Sequence, residues 1–280
     1  MIKTMTKQTS LPFSYFIYGF SVFLFSYLAA VPEVSAESSE SLTALEIMQK
    51  NIEAESAHDE MSNLRIILTN SRGKTQQRSL VWKTVTLEDG TKKSIVYFSR
   101  PKSIRGTALL TIEHTEGDDE RWLYLPALQK TRRISASEKA DNFMGTDFSY
   151  EDLVTEEIDS HNYVRGDTSQ CNKPCLVVIA TPGNERQKTE SGYSKRVITL
   201  NPENFMVTSV DYYDKSGHLS KSYQADDFRI VGSNGSVRPF KTEMVDHINS
   251  RKTQMLFDSF VINTGINEDE ISLRALTRGL

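Results

Sequence analysis

The stretch RWLYLPALQKTRRISASEKADNFMGTDFSYEDL, residues 121–153, interrupts a chain that otherwise consists of alternating strand patterns. Its first residues, WLYL, form a strand without a polar face, and Pro126 ends that strand. A basic strand follows from Lys130, with three cations in four residues, and then a long connection contains Gly145 and a capped helical turn over residues 147–153. No pair of side chains in this stretch has the pattern of a nucleophile and its base. We therefore predict a binding protein rather than an enzyme.

Strand signals fill the chain on both sides of this stretch. Leu64, Ile66 and Leu68 recur at every second position, and residues 89–90 are the Asp-Gly pair that two-residue hairpins favour. We predict about 11–13 strands joined by short turns, at residues 64–69, 80–83, 95–98, 107–114, 121–125, 130–135, 163–166, 176–181, 195–200, 206–213, 219–230, 238–249 and 253–262. Such a sheet must curl, because flat open sheets of this size are unusual. A barrel of more than about eight strands leaves a cavity that side chains cannot fill, so we expect a cavity suited to an apolar ligand.

Several predicted strands are apolar on both faces, which means that something must cover each face of the sheet. The runs VYF at 96–98 and VVI at 177–179 are examples, since a strand with one face in water would carry polar residues at every second position. One predicted cover is a helix over residues 41–55, apolar on one side and capped by Ser41. The other is the segment 141–157. A closed sandwich with an ordinary core explains the same pattern and stays open as an alternative.

The first 36 residues have the features of a cleaved signal peptide. Two lysines precede an uncharged run whose apolar core covers residues 13–31, and the small-x-small pattern VSA follows at 34–36. A membrane anchor is the alternative, because the run approaches the ~18–20 residues that span a bilayer. Cleavage would leave a single soluble domain, residues 37–280.

The charge balance argues against a nucleic-acid partner. The full chain carries 33 basic and 37 acidic residues, and removal of two lysines and one glutamate with the signal peptide leaves 31 and 36, a net charge of about −5. An electrostatic nucleic-acid binder would be basic. The remaining chain is long enough to bury a substantial core.

The two cysteines of the chain, Cys171 and Cys175, are separated by Asn-Lys-Pro. In an oxidising compartment we expect a disulfide that closes a short loop and stabilises the fold by only ~2 kcal/mol. A metal site would need further ligands at proper spacing, and a redox motif would need two intervening residues. The five histidines stand singly in the sequence. We therefore expect no metal, no cofactor and no catalytic residues.

The central stretch also carries a resemblance to a known family. The motifs are LPAL at 125–128, Lys130, RRI at 132–134 and FMGTDFSYEDL at 143–153, with later pieces GYSK at 192–195, VDYYD at 210–214 and Phe257. Together they resemble the signature of the LolA-like outer-membrane lipoprotein-sorting family, in the branch often encoded beside large exporters of the resistance-nodulation-division type. The resemblance covers residues 42–276.

This resemblance implies a mainly β fold: a half-open, strongly curved antiparallel β-barrel with short helices closing its concave side. Relatives carry or sense lipidated, amphiphilic molecules in the periplasm, and the family implies no enzymatic residues. We expect a monomeric carrier or chaperone in the periplasm of a Gram-negative bacterium, which binds a lipid, lipoprotein acyl chains or another amphiphile in a hydrophobic barrel cavity. It would work with an inner-membrane exporter or an outer-membrane sorting system. A non-catalytic sensor or scaffold of the same fold, binding a protein partner, is the alternative.

The expected ligand site lies where the apolar strand at 121–125 is followed by the basic strand at 130–135. The candidate ligand-binding residues are Trp122, Tyr124, Arg132, Arg133, Phe143, Met144, Phe148 and Tyr150. On a strand, Lys130 and Arg132 share one face and Arg133 points to the other. Three roles are open for these cations: protecting a strand edge, pairing with Asp147, Glu151 or Asp152 to latch a lid, or receiving an anionic headgroup.

The lid itself is expected at residues 143–153. We predict that this segment packs over one end of the sheet and moves when ligand enters, with Gly145 as its flexible point and Asp147 as a helix cap.

Overall fold

The structure, a computed structural model, describes Ser39 and residues 41–279. The predicted signal peptide, residues 1–36, lies outside the described residues. In this part of the chain, none of the helices combines the length and the apolar character needed to cross a membrane.

Helix α1 (Ala44–Glu55) begins the described fold. The sequence predicts a start at Ser41, but Thr43 is the cap: its Oγ1 accepts a hydrogen bond from the Glu46 backbone N–H at 3.2 Å, and its own N–H donates to Glu46 Oε2 at 2.7 Å. This reciprocal capping box satisfies N–H groups that the first turn leaves without helical partners. The apolar face of α1, with Ile47 fully buried, packs into the main core.

Thirteen strands follow in the described residues, and they form one antiparallel sheet. They are β1 (Asp59–Thr69), β2 (Thr75–Thr86), β3 (Lys92–Arg100), β4 (Ala108–Glu113), β5 (Glu120–Leu125), β6 (Lys130–Ile134), β7 (His161–Arg165), β8 (Leu176–Pro182), β9 (Tyr193–Leu200), β10 (Val207–Asp214), β11 (Leu219–Val231), β12 (Ser236–Asp246) and β13 (Arg251–Ile262). Strands adjacent in sequence pair with each other, except that β6 and β7 do not pair, and β1 also pairs with β13. The sheet is therefore open, with β6 and β7 as its edges and β1 and β13 at its centre. The predicted sheet of about 11–13 strands is confirmed, as one open sheet rather than a closed sandwich.

Short helices lie in several connections. Besides α1, the described residues contain α2 (Glu185–Glu190), α3 (Leu273–Arg278) and single 3-10 turns at Pro126–Leu128, Ala136–Glu138, Phe143–Gly145, Glu151–Leu153, Ile158–Ser160 and Glu268–Glu270. Of the helical turn predicted over residues 147–153, only the part from Glu151 is helical, as a 3-10 turn.

One face of the sheet, here called the inner face, is concave. Leu80 and Phe98 from β2 and β3 join the same buried cluster as Ile198 and Val210 from β9 and β10. Strands so far apart in one sheet can share a cluster only if the sheet curves around it. Side chains of α1 and of the connection between β6 and β7 complete this cluster. The half-open barrel with helical segments on its concave side is therefore confirmed.

The opposite, outer face is also covered over part of its area. Ile95 and Tyr97 of β3 point outwards and form a second buried cluster with Ile271 and Leu276. Tyr97 Oη donates a hydrogen bond to Ala275 O at 2.7 Å. The two covers predicted from the sequence both lie on the inner face, so the C-terminal segment is a third cover. It explains why β3 is apolar on both faces.

Candidate functional site

Residues 135–160, which connect edge strand β6 to edge strand β7, are here called the crossing segment. They place three aromatic side chains, Phe143, Phe148 and Tyr150, in the core at the inner face, where all three are buried. The Phe143 ring centroid lies 5.9 Å from that of Phe98 on β3 and 5.7 Å from that of Tyr150. The space in which an apolar cavity was expected is therefore occupied by side chains of the protein itself.

A tight loop holds these aromatic side chains in place. The Phe143 N–H donates to Phe148 O at 2.8 Å, and Thr146 Oγ1 donates to Phe143 O at 2.7 Å. Gly145 has a φ of +75°, a left-handed conformation that glycine adopts without steric cost, and Met144 has a φ of 48°. The sequence FMGTDF thus folds into a loop that presents both phenylalanines to the inner face.

Asp147 anchors this loop to the centre of the sheet. Its Oδ2 accepts a hydrogen bond from Thr253 Oγ1 at 2.7 Å, and its backbone N–H donates to the same oxygen of Thr253 at 2.9 Å. Arg251 Nη2 lies 3.1 Å from Asp147 Oδ1. Burial raises the pKa of Asp147, although the hydrogen bond from Thr253 and the charge of Arg251 oppose that shift. The prediction that Asp147 caps a helix is wrong, because its carboxylate binds β13 instead.

The carbonyl of Met144 is a second anchoring point. Arg78 of β2 donates a hydrogen bond to it from Nη1 at 2.5 Å. Strands β2 and β13 lie on either side of β1. Arg78 and Arg251 therefore hold the loop from the two strands that flank β1.

The second half of the crossing segment is bound to the β9–β11 side of the sheet. Asp152 Oδ1 accepts a hydrogen bond from Tyr193 Oη at 3.0 Å, and Lys221 Nζ lies 3.7 Å from Asp152 Oδ2. Arg196 donates one hydrogen bond of 2.7 Å to each carboxylate oxygen of Glu156. Burial alone would raise the pKa of Glu156, but the Arg196 guanidinium lowers it to about 2. The crossing segment is therefore fixed along its length by polar and charged side chains of the sheet.

The predicted ligand residues fall into two groups on opposite faces. Phe143, Met144, Phe148 and Tyr150 lie together at the inner face, whereas Trp122 and Tyr124 pack at the outer face, with the Arg133 guanidinium 5.7 Å from the Trp122 ring centroid. On β5, the inward-pointing residue is Leu123. Residues 122–125 of β5 are all apolar. The sequence pattern alone therefore does not tell whether Trp122 and Tyr124 or their neighbours in the strand face the concavity.

Arg132 forms an ion pair with Glu138 near the start of the crossing segment, and about half of its side chain is exposed (51% relative exposure). Of the three roles left open for the basic strand, Arg132 does not take the pairing with the carboxylates of residues 147–152, and Arg251 is the residue that pairs with Asp147. No local pattern points to Arg251, which lies more than a hundred residues further along the chain.

Two further predictions concern covalent and metal chemistry. Cys171 and Cys175 form a disulfide in the connection between β7 and β8, as predicted. Across the residues that the structure describes, no three or more His, Cys, Asp or Glu side chains are grouped in a way that could hold a metal ion.

Solved structures share this architecture. A domain from Vibrio parahaemolyticus described as an outer-membrane lipoprotein-sorting protein matches with a TM-score of 0.77 at 28% sequence identity, over 86% of this chain and 100% of that chain. A DUF1329 family protein from Desulfovibrio piger matches with a TM-score of 0.77 at 24% identity, over 83% and 97% of the two chains. A LolA superfamily protein from Nitrosomonas europaea matches with a TM-score of 0.65 at 17% identity, over 84% and 100%.

Comparison at the sequence level adds to this likeness. A family model described as "Uncharacterized protein" matches residues 90–278, which is more than half of the chain. No curated protein matches the chain. The Vibrio parahaemolyticus domain shares sequence as well as fold, and the LolA superfamily protein shares the fold. The chain therefore belongs to a LolA-like family.

Proposed function

We propose that this protein is a periplasmic carrier or chaperone, which binds a lipid, the acyl chains of a lipoprotein or another amphiphile on the inner face of its open barrel. The observation that carries the proposal is the crossing segment. Its buried aromatic side chains cover the concave apolar face, yet its only regular structure is a set of single 3-10 turns. The relative from Vibrio parahaemolyticus, described as a lipoprotein-sorting protein, supports the same function.

The ligand and the crossing segment would compete for the inner face, so that only one of them covers it at a time. In the structure, Phe143, Phe148 and Tyr150 keep the apolar side chains of the strands away from water. Fully burying one large apolar side chain stabilises by ~1.5–3 kcal/mol, and an acyl chain covering the same strands would replace that contribution. The hydrogen bonds that hold Met144 and Asp147 each involve a charged group, and exchanging them for bonds to water would cost a net ~1.5–3 kcal/mol each. An amphiphile of sufficient apolar length can therefore displace the segment.

The amphiphile would be received from, or delivered to, a membrane complex. We propose that the partner is an inner-membrane exporter of the resistance-nodulation-division type or an outer-membrane sorting system, and that the protein acts as a monomer. Edge strands β6 and β7 join directly onto the crossing segment, and unpaired strand edges are common docking sites for another chain. A partner bound at either edge would have direct access to the segment.

A reversible lock on the crossing segment tests the carrier function. Asp147→Cys with Thr253→Cys replaces the 2.7 Å side-chain hydrogen bond by a disulfide that fastens the segment to β13. The oxidised variant should bind a fluorescent fatty acid much more weakly than wild type, and reduction should restore binding. Wild-type protein treated with the same reductant is the control, since the reductant also opens the native disulfide at Cys171. Equal binding before and after reduction would contradict the proposal.

A non-catalytic sensor or scaffold that binds a protein segment is the second candidate, and the filled inner face favours it. Native mass spectrometry with lipid extraction, on protein purified from its own periplasm, distinguishes the two. A carrier should retain a lipid that is lost on contact with its partner. A sensor should retain a polypeptide and no lipid.

A further inference from the structure

A polar cavity of about 170 Å³ lies between the hairpin of β1 and β2 and the crossing segment. Its walls include Lys74 and Arg78 from the hairpin, Gly145 and Asp147 from the crossing segment, and Arg251 from β13. A single water molecule occupies ~30 Å³ in the liquid. The cavity is therefore large enough for a group of several heavy atoms.

The cationic side chains at this cavity outnumber the carboxylates. Arg251 is paired with Asp147 and Asp246, each at 3.1 Å, whereas no carboxylate among the described residues lies within ion-pair distance of Lys74 or Arg78. Burial lowers the pKa of Arg78, because no neighbouring negative charge offsets its lost solvation. A partly buried guanidinium without a counter-ion is unfavourable. An anion in the cavity would supply that counter-ion.

Two more polar atoms at the cavity are buried without a hydrogen-bond partner. They are Arg251 Nε, a donor, and Asp147 Oδ1, an acceptor that has the ion pair with Arg251 Nη2 at 3.1 Å but no hydrogen bond. The Asp147 side chain is only 4% exposed, and buried polar atoms are nearly always hydrogen-bonded. A water molecule could satisfy these two atoms, but it would not neutralise Lys74 and Arg78. A ligand that carries both negative charge and a hydrogen-bond donor satisfies all of them.

We infer that the cavity between Lys74, Arg78 and Arg251 binds a phosphate group, either as part of a phospholipid headgroup or as free phosphate. A guanidinium group can donate two parallel hydrogen bonds to phosphate oxygens, and Arg78 keeps donors beyond the one that it gives to Met144 O. Lys74, at the exposed tip of the hairpin, adds charge. Asp147 Oδ1 accepts a hydrogen bond from a hydroxyl or ammonium group next to the phosphate.

That the phosphate belongs to a phospholipid headgroup rests on the proposed carrier function. That the cavity binds phosphate does not. Leu68 lines the cavity and also packs against the buried cluster of the inner face. A headgroup held beside Arg78 would therefore start its acyl chain at the border of this buried cluster, to which Phe143 also belongs. The polar and apolar parts of one amphiphile would meet adjoining polar and apolar surfaces of the protein.

Calorimetric titration of the full chain with three probes tests this inference. The probes are inorganic phosphate, dihexanoyl phosphatidylglycerol and its uncharged counterpart dihexanoylglycerol. The test variants are Arg78→Gln and Lys74→Gln, and the second leaves the hydrogen bond between Arg78 and Met144 in place. Arg72→Gln, which removes one exposed cation from the same hairpin but does not line the cavity, is the matched control.

Phosphate and phosphatidylglycerol should bind the wild type, and each test variant should weaken both by about tenfold. Arg72→Gln should weaken them by less than about twofold. Binding of phosphatidylglycerol without binding of free phosphate, with the same losses in the variants, would assign the site to a lipid headgroup. Failure of both anions to bind, or equal losses with Arg72→Gln, would overturn the inference.

Dihexanoylglycerol separates this inference from the proposed function. If it binds as tightly as phosphatidylglycerol and free phosphate does not bind, the phosphate site is refuted while the carrier function stands. If free phosphate binds with the expected losses and neither acyl probe binds more tightly than phosphate, the site stands while the carrier function fails.

Discussion

The Asp147 carboxylate accepts a hydrogen bond from the Thr253 hydroxyl at 2.7 Å, although 106 residues separate the two along the chain. The hydroxyl oxygen in turn accepts a hydrogen bond from the Asp147 N–H at 2.9 Å. Both residues are buried. The Thr253 side chain of β13 therefore hydrogen-bonds both the backbone N–H and the carboxylate of Asp147 in the crossing segment.

Thr253→Val should destabilise the protein by about 1–3 kcal/mol, because a buried carboxylate oxygen and a buried N–H of Asp147 both lose their partner. Urea unfolding measures this loss, and hydrogen exchange should become faster in residues 143–153. Thr253→Ser keeps the hydroxyl and should cost only the packing of one methyl group, about 0.8 kcal/mol. If exchange in residues 143–153 is equally slow in both variants, this hydroxyl does not anchor the segment.

The ion pair of Glu156 and Arg196 predicts how stability changes in acid. The pKa of Glu156 is lowered from 4.5 to about 2, so the folded state binds fewer protons than the unfolded state between these values. The stability that this pair contributes is fully present above pH 4.5 and is lost as the pH falls towards 2. Asp147 acts in the opposite direction, since its raised pKa gives a contribution that is largest at low pH and is lost as the pH rises.

Glu156→Gln should therefore flatten the acid side of the stability profile. Urea unfolding midpoints of wild type should fall steeply between pH 4.5 and 2, and those of the variant should fall less. Glu116→Gln, at an exposed turn, is the control and should follow the wild type. Parallel profiles for all three proteins would show that this pair does not govern acid stability.

The strands could be predicted from sequence because period-two alternation and turn residues are local signals. In β3, the run at 96–98 showed correctly that both faces of the sheet are covered, but not which segments cover them. Helix α3 has only six residues, which is too short for a helical period to stand out. The anchoring of Met144 by Arg78 and of Asp147 by Arg251 depends on which strands become neighbours in the sheet. Such contacts are set by topology and leave no pattern in the neighbouring sequence.

The C-terminal cover should be a structural part of the fold. Leu276→Ala should lower the free energy of unfolding by about 2–5 kcal/mol, because this fully buried side chain leaves a cavity against the outer face of β3 and β4. Leu273→Ala, in the same helix, is the matched control: its side chain is 47% exposed, so the change should stay within about 0.5 kcal/mol. Equal losses in urea unfolding would mean that α3 does not pack through this face.

The basic strand should contribute little to stability. Arg132 is half exposed beside Glu138, and Arg133 lies over Trp122, so Arg132→Ala with Arg133→Ala should cost no more than about 2 kcal/mol in total. If the phosphate binds at Arg78, it does not contact Arg132 or Arg133. This double variant should then leave the ratio of the affinities for phosphatidylglycerol and dihexanoylglycerol unchanged. A selective loss of the anionic ligand would instead place its headgroup at β6.

Phe143 and Phe98 form a matched pair for testing exchange between ligand and crossing segment. Their ring centroids lie 5.9 Å apart and both side chains are buried. Phe98 belongs to the sheet whether or not the crossing segment is in place, whereas Phe143 would leave the inner face together with that segment.

Phe143→Ala and Phe98→Ala should each destabilise the ligand-free protein by about 3–5 kcal/mol, because each leaves a cavity in the same cluster. Their effects on ligand binding should have opposite signs. Phe143→Ala destabilises only the state in which the crossing segment covers the inner face. An acyl ligand that replaces the segment then has less to displace and binds more tightly, by about tenfold for every 1.4 kcal/mol of stability that this state loses. Phe98→Ala removes part of the wall that the ligand itself would contact, so binding should weaken. Urea unfolding and titration with a fluorescent fatty acid measure the two quantities, and equal weakening of binding in both variants would show that segment and ligand do not compete for this face.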